Sequence, residues 1–166
     1  MKLLFISLGC DKNLVDSEEM LGMLAADGHE IVDDEDEAEV IIVNTCCFIG
    51  DAKEESVNTI LEMAEKKKAG TCKVLIVTGC MAQRYKKEIS EEIPEVDAIL
   101  GTTSYGEISK AVNEAQAGRH FEEYKSIDFL PDISGKRMLT TGGHFAYLKI
   151  AEGCDKHCTY CIIPKL

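Results

Sequence analysis

Residues 40–46 read Val-Ile-Ile-Val-Asn-Thr-Cys, and this short run decides the fold. Four consecutive β-branched apolar residues with no polar alternation describe a strand covered on both faces, as in a parallel sheet packed between helices. The same pattern recurs on either side: Leu3–Leu8 (LLFISL) before it and Val74–Thr78 (VLIVT) after it, with a weaker run at Ala98–Leu100. His29–Val32 reads as a further strand nearer an edge. Between these runs the apolar residues fall at helical spacing. Leu14–Ala26 is a helix stopped by Gly28, and Asp51–Ala69 is a helix whose Lys66, Lys67 and Lys68 suit its negative C-terminal end. Gln83–Ile93 and Tyr105–Ala117 complete the alternation. Strand and helix in turn over residues 1–118 predict an α/β fold, a doubly wound and mostly parallel sheet.

Past Gly118 the pattern changes. Residues 119–143 carry charge, Pro131, three glycines and little periodicity, and read as a connector. Phe145–Ile150 (FAYLKI) reads as a fresh strand followed by a cysteine-rich loop. A lone strand cannot bury itself, so residues 144–166 are expected to open a second domain whose remainder lies outside these residues. Beyond Gly118 the chain is expected to be mobile or to add itself to a sheet edge.

The chain has 166 residues, 45% of them hydrophobic and 29% charged, so wholesale disorder is excluded. Its 18 basic and 30 acidic side chains leave a net charge of −12. Nucleic-acid binding by phosphate neutralisation is therefore not expected of this region. No apolar run approaches a membrane span, and Asp11, Lys12 and Asp16 follow the first apolar run directly, as in a strand and not a signal peptide. The cytoplasm is the expected compartment.

Eight cysteines are the outlier in this composition. In a reducing compartment, clustered cysteines are more often metal ligands or catalytic thiols than disulfides. Cys10, Cys46 and Cys80 each follow the carboxyl end of a predicted strand, in the contexts SLGC, VNTC and VTGC. In a parallel sheet those ends share one edge, where open α/β folds bind ligands, and the helices that follow direct positive dipole ends at it. Three thiols there could hold a metal or cluster; three buried cysteines acting as small apolar residues are the alternative. Cys47 is expected to point away from its neighbour, and Cys72 to be structural.

The second group is GCDKHCTYC at residues 153–161, a C-x3-C-x2-C run through Cys154, Cys158 and Cys161. Such short spacings suit an iron–sulfur cluster, and three ligands on four irons leave one iron open. Zinc is the alternative, with His157 inside the loop.

With Tyr160 before its last cysteine, this run resembles the signature of the radical S-adenosylmethionine (SAM) enzymes. SLGCDKNLVDSE, NTCCFI and TGCMAQRY resemble the N-terminal domain of the methylthiotransferases in that superfamily. Within it, SLGCDKNLVDSE and HFAYLKIAEGCDKHCTYCIIPKL are most similar to the branch that modifies an aspartate of a small-subunit ribosomal protein. The tRNA-adenosine branch usually reads more like GCQMN at Cys10. Cys47 stands where the ribosomal-protein branch often has Gly, leaving open which adjacent thiol is the ligand.

The resemblance implies two 4Fe-4S clusters and S-adenosyl-L-methionine as cofactors, with a ribosomal protein as substrate. Cys154, Cys158 and Cys161 would hold the cluster that binds and cleaves S-adenosylmethionine to a radical, with Tyr160 near the adenine. Cys10, Cys46 and Cys80 would hold the cluster that carries the inserted sulfur. The barrel and substrate-binding domain it also implies lie outside these residues, so activity is expected of a longer parent. The rival readings are a tRNA methylthiotransferase, a non-catalytic iron–sulfur module, and a flavodoxin-like nucleotide-binding domain. The last lacks a Gly-rich phosphate loop after Leu8.

Overall fold

The computed structural model describes residues 1–130 and 137–165. Six parallel strands form one sheet: β1 (Lys2–Ser7), β2 (Glu30–Ile31), β3 (Val40–Thr45), β4 (Val74–Gly79), β5 (Ala98–Leu100) and β6 (Phe121–Glu123), in the order β2-β1-β3-β4-β5-β6. The register sets Ser7 beside Asn44, Asn44 beside Thr78 and Thr78 beside Leu100, so the carboxyl ends of the four central strands are level.

The helices are α1 (Asp11–Ala26), α2 (Gly50–Lys68), α3 (Cys80–Arg84), α4 (Lys86–Glu92) and α5 (Ile108–Gln116). Side chains alternate across each strand and feed two separate cores. Ile41, Val43, Leu75, Val77 and Ile99 pack with α2, α3 and α4 through Ile60, Met63, Met81 and Ile89. Val40, Ile42, Val74, Ile76 and Leu100 pack on the other face with α1 and α5 through Met20, Leu24, Ile108 and Val112. The sheet is doubly wound. The chain leaves β1 for β2 on one side and returns to β3 on the other, so the strand order switches between β1 and β3. In open α/β sheets the crevice outside the carboxyl ends at such a point is where ligands bind.

Several elements depart from the sequence expectation. The segment Gln83–Ile93 is two helices meeting at Tyr85, whose φ of −113° and ψ of 34° break the helical run. The first turn of the segment from Tyr105 is 3-10. The sheet also runs past Gly118, because Phe121–Glu123 adds a parallel edge strand beside β5. Phe145–Ile150 forms no strand, since no strand edge lies alongside it; the Phe145 and Tyr147 carbonyls accept from the Thr141 hydroxyl (2.7 Å) and Arg137 (2.6 Å) instead. Pro131 lies outside the described residues. No described helix is long and apolar enough to cross a membrane.

Residues 137–149 are docked on α1. Glu18 of α1, fully buried, accepts from Arg137 Nε (2.6 Å), the Thr140 N–H (2.6 Å) and the Thr140 hydroxyl (2.8 Å), and its carbonyl accepts from the Met138 N–H (2.9 Å). Two residues toward the amino end of α1, Asp16 pairs with Lys149, which also pairs with Glu152.

Candidate metal centre

Every strand-end cysteine sits where an apolar strand runs out and a helix begins. Cys10 is the residue before α1, Cys46 follows β3, and Cys80 opens α3 after β4. The turns that present them are tight. Gly9 has φ +103°, and a Cβ there would stand 2.8 Å from Cys46 Cβ and 3.1 Å from its Sγ. Gly79 has φ +94°, with Asn44 Oδ1 at 2.3 Å from its missing Cβ. Both backbones pass where only glycine fits.

Buried polar side chains tie these turns together. Asn13 Nδ2 donates to the Leu8 and Thr45 carbonyls, at 3.0 Å each, bridging the ends of β1 and β3 across the switch point. Asn44 Nδ2 donates to the Asn13 carbonyl (3.0 Å) and to Ser17 Oγ (2.9 Å). The Thr45 hydroxyl donates to the Thr78 carbonyl at 2.6 Å, locking β3 to β4. Ser56 of α2 clamps Cys46 twice, accepting from its N–H (3.0 Å) and donating to its carbonyl (2.9 Å). These residues escaped the sequence reading, which followed thiols. A signal existed: Asn44, Thr45 and Thr78 are the polar residues that end otherwise apolar strands.

Cys10, Cys46 and Cys80 line one cavity of about 1010 Å³, walled also by Phe48 and by Gly153 and Cys154 of the second cysteine loop. The structure thus brings four of the six candidate thiols to one cavity. Cys47 packs into the core under α2 and α3, and Cys72 lies at the opposite edge of the sheet, its thiol donating to the Val74 carbonyl at 3.0 Å. Cys158 is exposed and Cys161 partly so, with the Cys161 N–H donating to the Cys158 carbonyl at 3.1 Å. Tyr160 is 90% exposed. Among the described residues, no three Cys, His, Asp or Glu side chains stand close enough to hold a single metal ion.

Burial, reinforced by the neighbouring thiols of Cys47, Cys46 and Cys10, pushes the Cys80 thiol up to about 12. It donates to Asn13 Oδ1 at 3.8 Å. Burial also raises the Cys47 thiol, against the opposing pull of Arg84 and Lys53. The helix dipoles expected to favour thiolate are outweighed by desolvation at Cys80, and α3, with five residues, has a small dipole to offer.

The donor set fits a thiolate-bound cluster in three respects. All eight cysteines are free thiols. The glycine at position 9 leaves open the space that a side chain would fill against Cys46. The Thr102 hydroxyl, on the wall shared by Cys10 and Cys80, stands beside the Cys80 thiol and favours its thiolate. Three thiols spread around a cavity, too far apart for one ion, suit a larger cluster better than zinc.

A family model described as "Uncharacterized protein family UPF0004" matches residues 2–101. Among curated relatives, the "Ribosomal protein uS12 methylthiotransferase RimO" of Lachnoclostridium phytofermentans is 63% identical over the whole of this chain, which corresponds to 38% of that relative. The protein of the same name from Clostridioides difficile is 51% identical over the whole chain and 37% of its own length. That of Trichlorobacter lovleyi is 49% identical over 99% of the chain and 37% of its own length. The chain therefore spans well under half the length of these relatives.

Proposed function

The chain belongs to the UPF0004 family, and from that premise we propose that it is the N-terminal part of a methylthiotransferase acting on a ribosomal protein of the small subunit. The finer reading is insertion of a methylthio group at an aspartate C–H bond by radical SAM chemistry. The observation that carries it is the meeting of Cys10, Cys46 and Cys80 with Cys154 around one cavity at the switch point of the sheet. The names of the relatives support the substrate class.

Cys10, Cys46 and Cys80 would hold one 4Fe-4S cluster, and Cys154, Cys158 and Cys161 a second, with Tyr160 beside S-adenosylmethionine. Such a cluster, bound through three thiolates, supplies an open iron at which a cofactor or sulfur atom can coordinate. The chain's own residues do the positioning. Asn13 and Ser56 fix the backbone on either side of Cys46 and hold the β1 and β3 turns at constant separation. Phe48 and Ile49, both more than half exposed, form an apolar rim to the same cavity. Ligation by Cys80 requires loss of a proton that burial holds in place, so binding there releases it.

Iron and sulfide quantification after anaerobic reconstitution tests the ligand assignment. Cys46→Ser should abolish the N-terminal cluster, while Cys72→Ser should leave iron unchanged and Cys47→Gly should be nearly neutral. Loss of iron in the Cys47 variant but not the Cys46 variant would reverse the assignment. The substrate is tested on the full-length protein, reconstituted and assayed by mass spectrometry against the ribosomal protein and tRNA. A methylthio mass gain on tRNA alone would overturn the ribosomal-protein reading.

A further inference from the structure

Lys149 is a nearly buried cation. Its amine pairs with Asp16 on α1 and with Glu152 three residues on, and the Lys149 and Asp16 side chains are only 10% and 9% exposed. The amine also lies 5.6 Å from the centre of the Tyr105 ring. Neither sheet core uses this pair: both are complete without it. Burying a charge pair carries a desolvation cost that its mutual attraction repays only in good geometry, and the best-attested return is a fixed arrangement of the parts it joins.

The parts joined here are α1 and the second cysteine loop. Upstream, the fully buried Glu18 holds Arg137 and Thr140, and Arg137 also donates to the Tyr147 carbonyl at 2.6 Å. The chain is therefore tied to α1 on both sides of residues 141–148. Immediately beyond Lys149 and Glu152, Gly153 turns with φ +56°, and Cys154 enters the wall of the cavity that Cys10, Cys46 and Cys80 share.

We propose that Lys149, clamped between Asp16 and Glu152, is a positioning residue that sets Cys154 at the mouth of the strand-end thiol cavity. Its functional meaning rests on the two-cluster reading above: it would fix the spacing between the two ligand groups before either is filled. The carboxylate of Asp16 supplies the fixed point, because α1 is anchored by Asn13 and Ser17 to the ends of β1 and β3.

Cross-linking of the metal-free chain at neutral pH tests this without any cluster. A short bis-maleimide is added, and the Cys10–Cys154 cross-linked peptide is quantified by mass spectrometry against single labelling of each thiol, both of which are exposed. Lys149→Met should lower the cross-link yield about tenfold by removing the effective concentration that the clamp imposes. Lys149→Arg, which keeps the charge, should stay within about twofold of the parent, and hydrogen exchange across the sheet should be unchanged in both. A parental yield in Lys149→Met, or an equal loss in Lys149→Arg, would overturn the proposal. Should Lys149→Met fail to fold, Lys149→Gln, which removes the charge but keeps a polar tip, carries the same expected and overturning yields. Because no iron is present, failure of the clamp leaves the cluster reading intact, and failure to take up iron leaves the cross-link result standing.

Discussion

At the scale of single residues, the site is shaped as much by what is missing as by what is present. Gly9 combines a left-handed φ of +103° with a missing Cβ that would sit 2.8 Å from Cys46 Cβ. A side chain there must strain its own backbone and push Cys46 out of the cavity wall. Gly9→Ala should therefore cost about 1–3 kcal/mol from backbone strain, read as a lower denaturant midpoint at unchanged slope. It should also disturb iron binding at the strand-end thiols, whereas Gly28→Ala, left-handed but facing open space, should lose stability alone. Equal iron content in the two variants would show that the Gly9 approach does not shape the site. The thiols themselves could be read from the chain because cysteine is rare and each follows an apolar strand. The glycine's role could not: GC occurs at Gly9-Cys10, Gly79-Cys80 and Gly153-Cys154, and only the fold shows that the first glycine makes room for a different cysteine, Cys46.

At the scale of elements, legibility followed burial. β3 and β4 are buried along their whole length; each begins with four apolar residues in a row, ended by Asn44 and Thr78, and could be bounded to within a residue. β6, at the sheet edge, is Phe-Glu-Glu, with one apolar side chain in three, and carries no pattern that distinguishes it from a connector. Phe145–Ile150 fails in the opposite sense: its composition suits a strand, but strand formation needs a partner edge, which composition does not encode. The break at Tyr85 lies within residues that are individually acceptable in a helix, so propensity could not find it. The switch between β1 and β3 is closed by Asn13, whose amide satisfies two carbonyls on different strand ends. Asn13→Ala leaves both without that donor in a buried setting, at a cost of about 1–3 kcal/mol. Amide exchange should quicken around residues 8–10 and 45–47, while the middle of β4 remains protected. Uniform loss of protection across the sheet would mean that Asn13 supports the whole core and not the turn.

At the scale of the whole molecule, two neighbouring carboxylates on α1 hold the segment from Arg137 onward, and they titrate in opposite directions. Pairs such as Glu18–Arg137 lie more than a hundred positions apart, and one acidic residue among thirty gives no sign in the sequence of which cation it will meet. For Glu18, burial works to raise the carboxyl, and the Thr140 N–H, the Thr140 hydroxyl and Arg137 together outweigh it, holding the group below its ordinary 4.5. A depressed folded value means that the Glu18 contribution is fully present above 4.5 and lost as pH falls through the folded value. For Asp16, burial pushes the carboxyl up to about 7, against the pull of Lys149 and with Glu152 and Glu19 adding to the rise. The folded state then binds the proton more tightly than the unfolded chain, so the Asp16 contribution declines as pH rises from 3.8 toward 7. The two slopes oppose one another, and docking of residues 137–149 should be most stable near pH 4, about where the Asp16 decline sets in and the Glu18 rise levels off. The Thr140 amide, 2.6 Å from Glu18 Oε1, reports on one arm directly: its NMR shift should hold above pH 4.5 and move upfield below it. Denaturant titrations across pH 3–8 report on both. Glu18→Gln should remove the acid arm, and Asp16→Asn should flatten the decline between pH 4 and 7. An Asp16→Asn profile as steep as the parent's over that range would show that the buried charge on α1 is not what sets the upper slope.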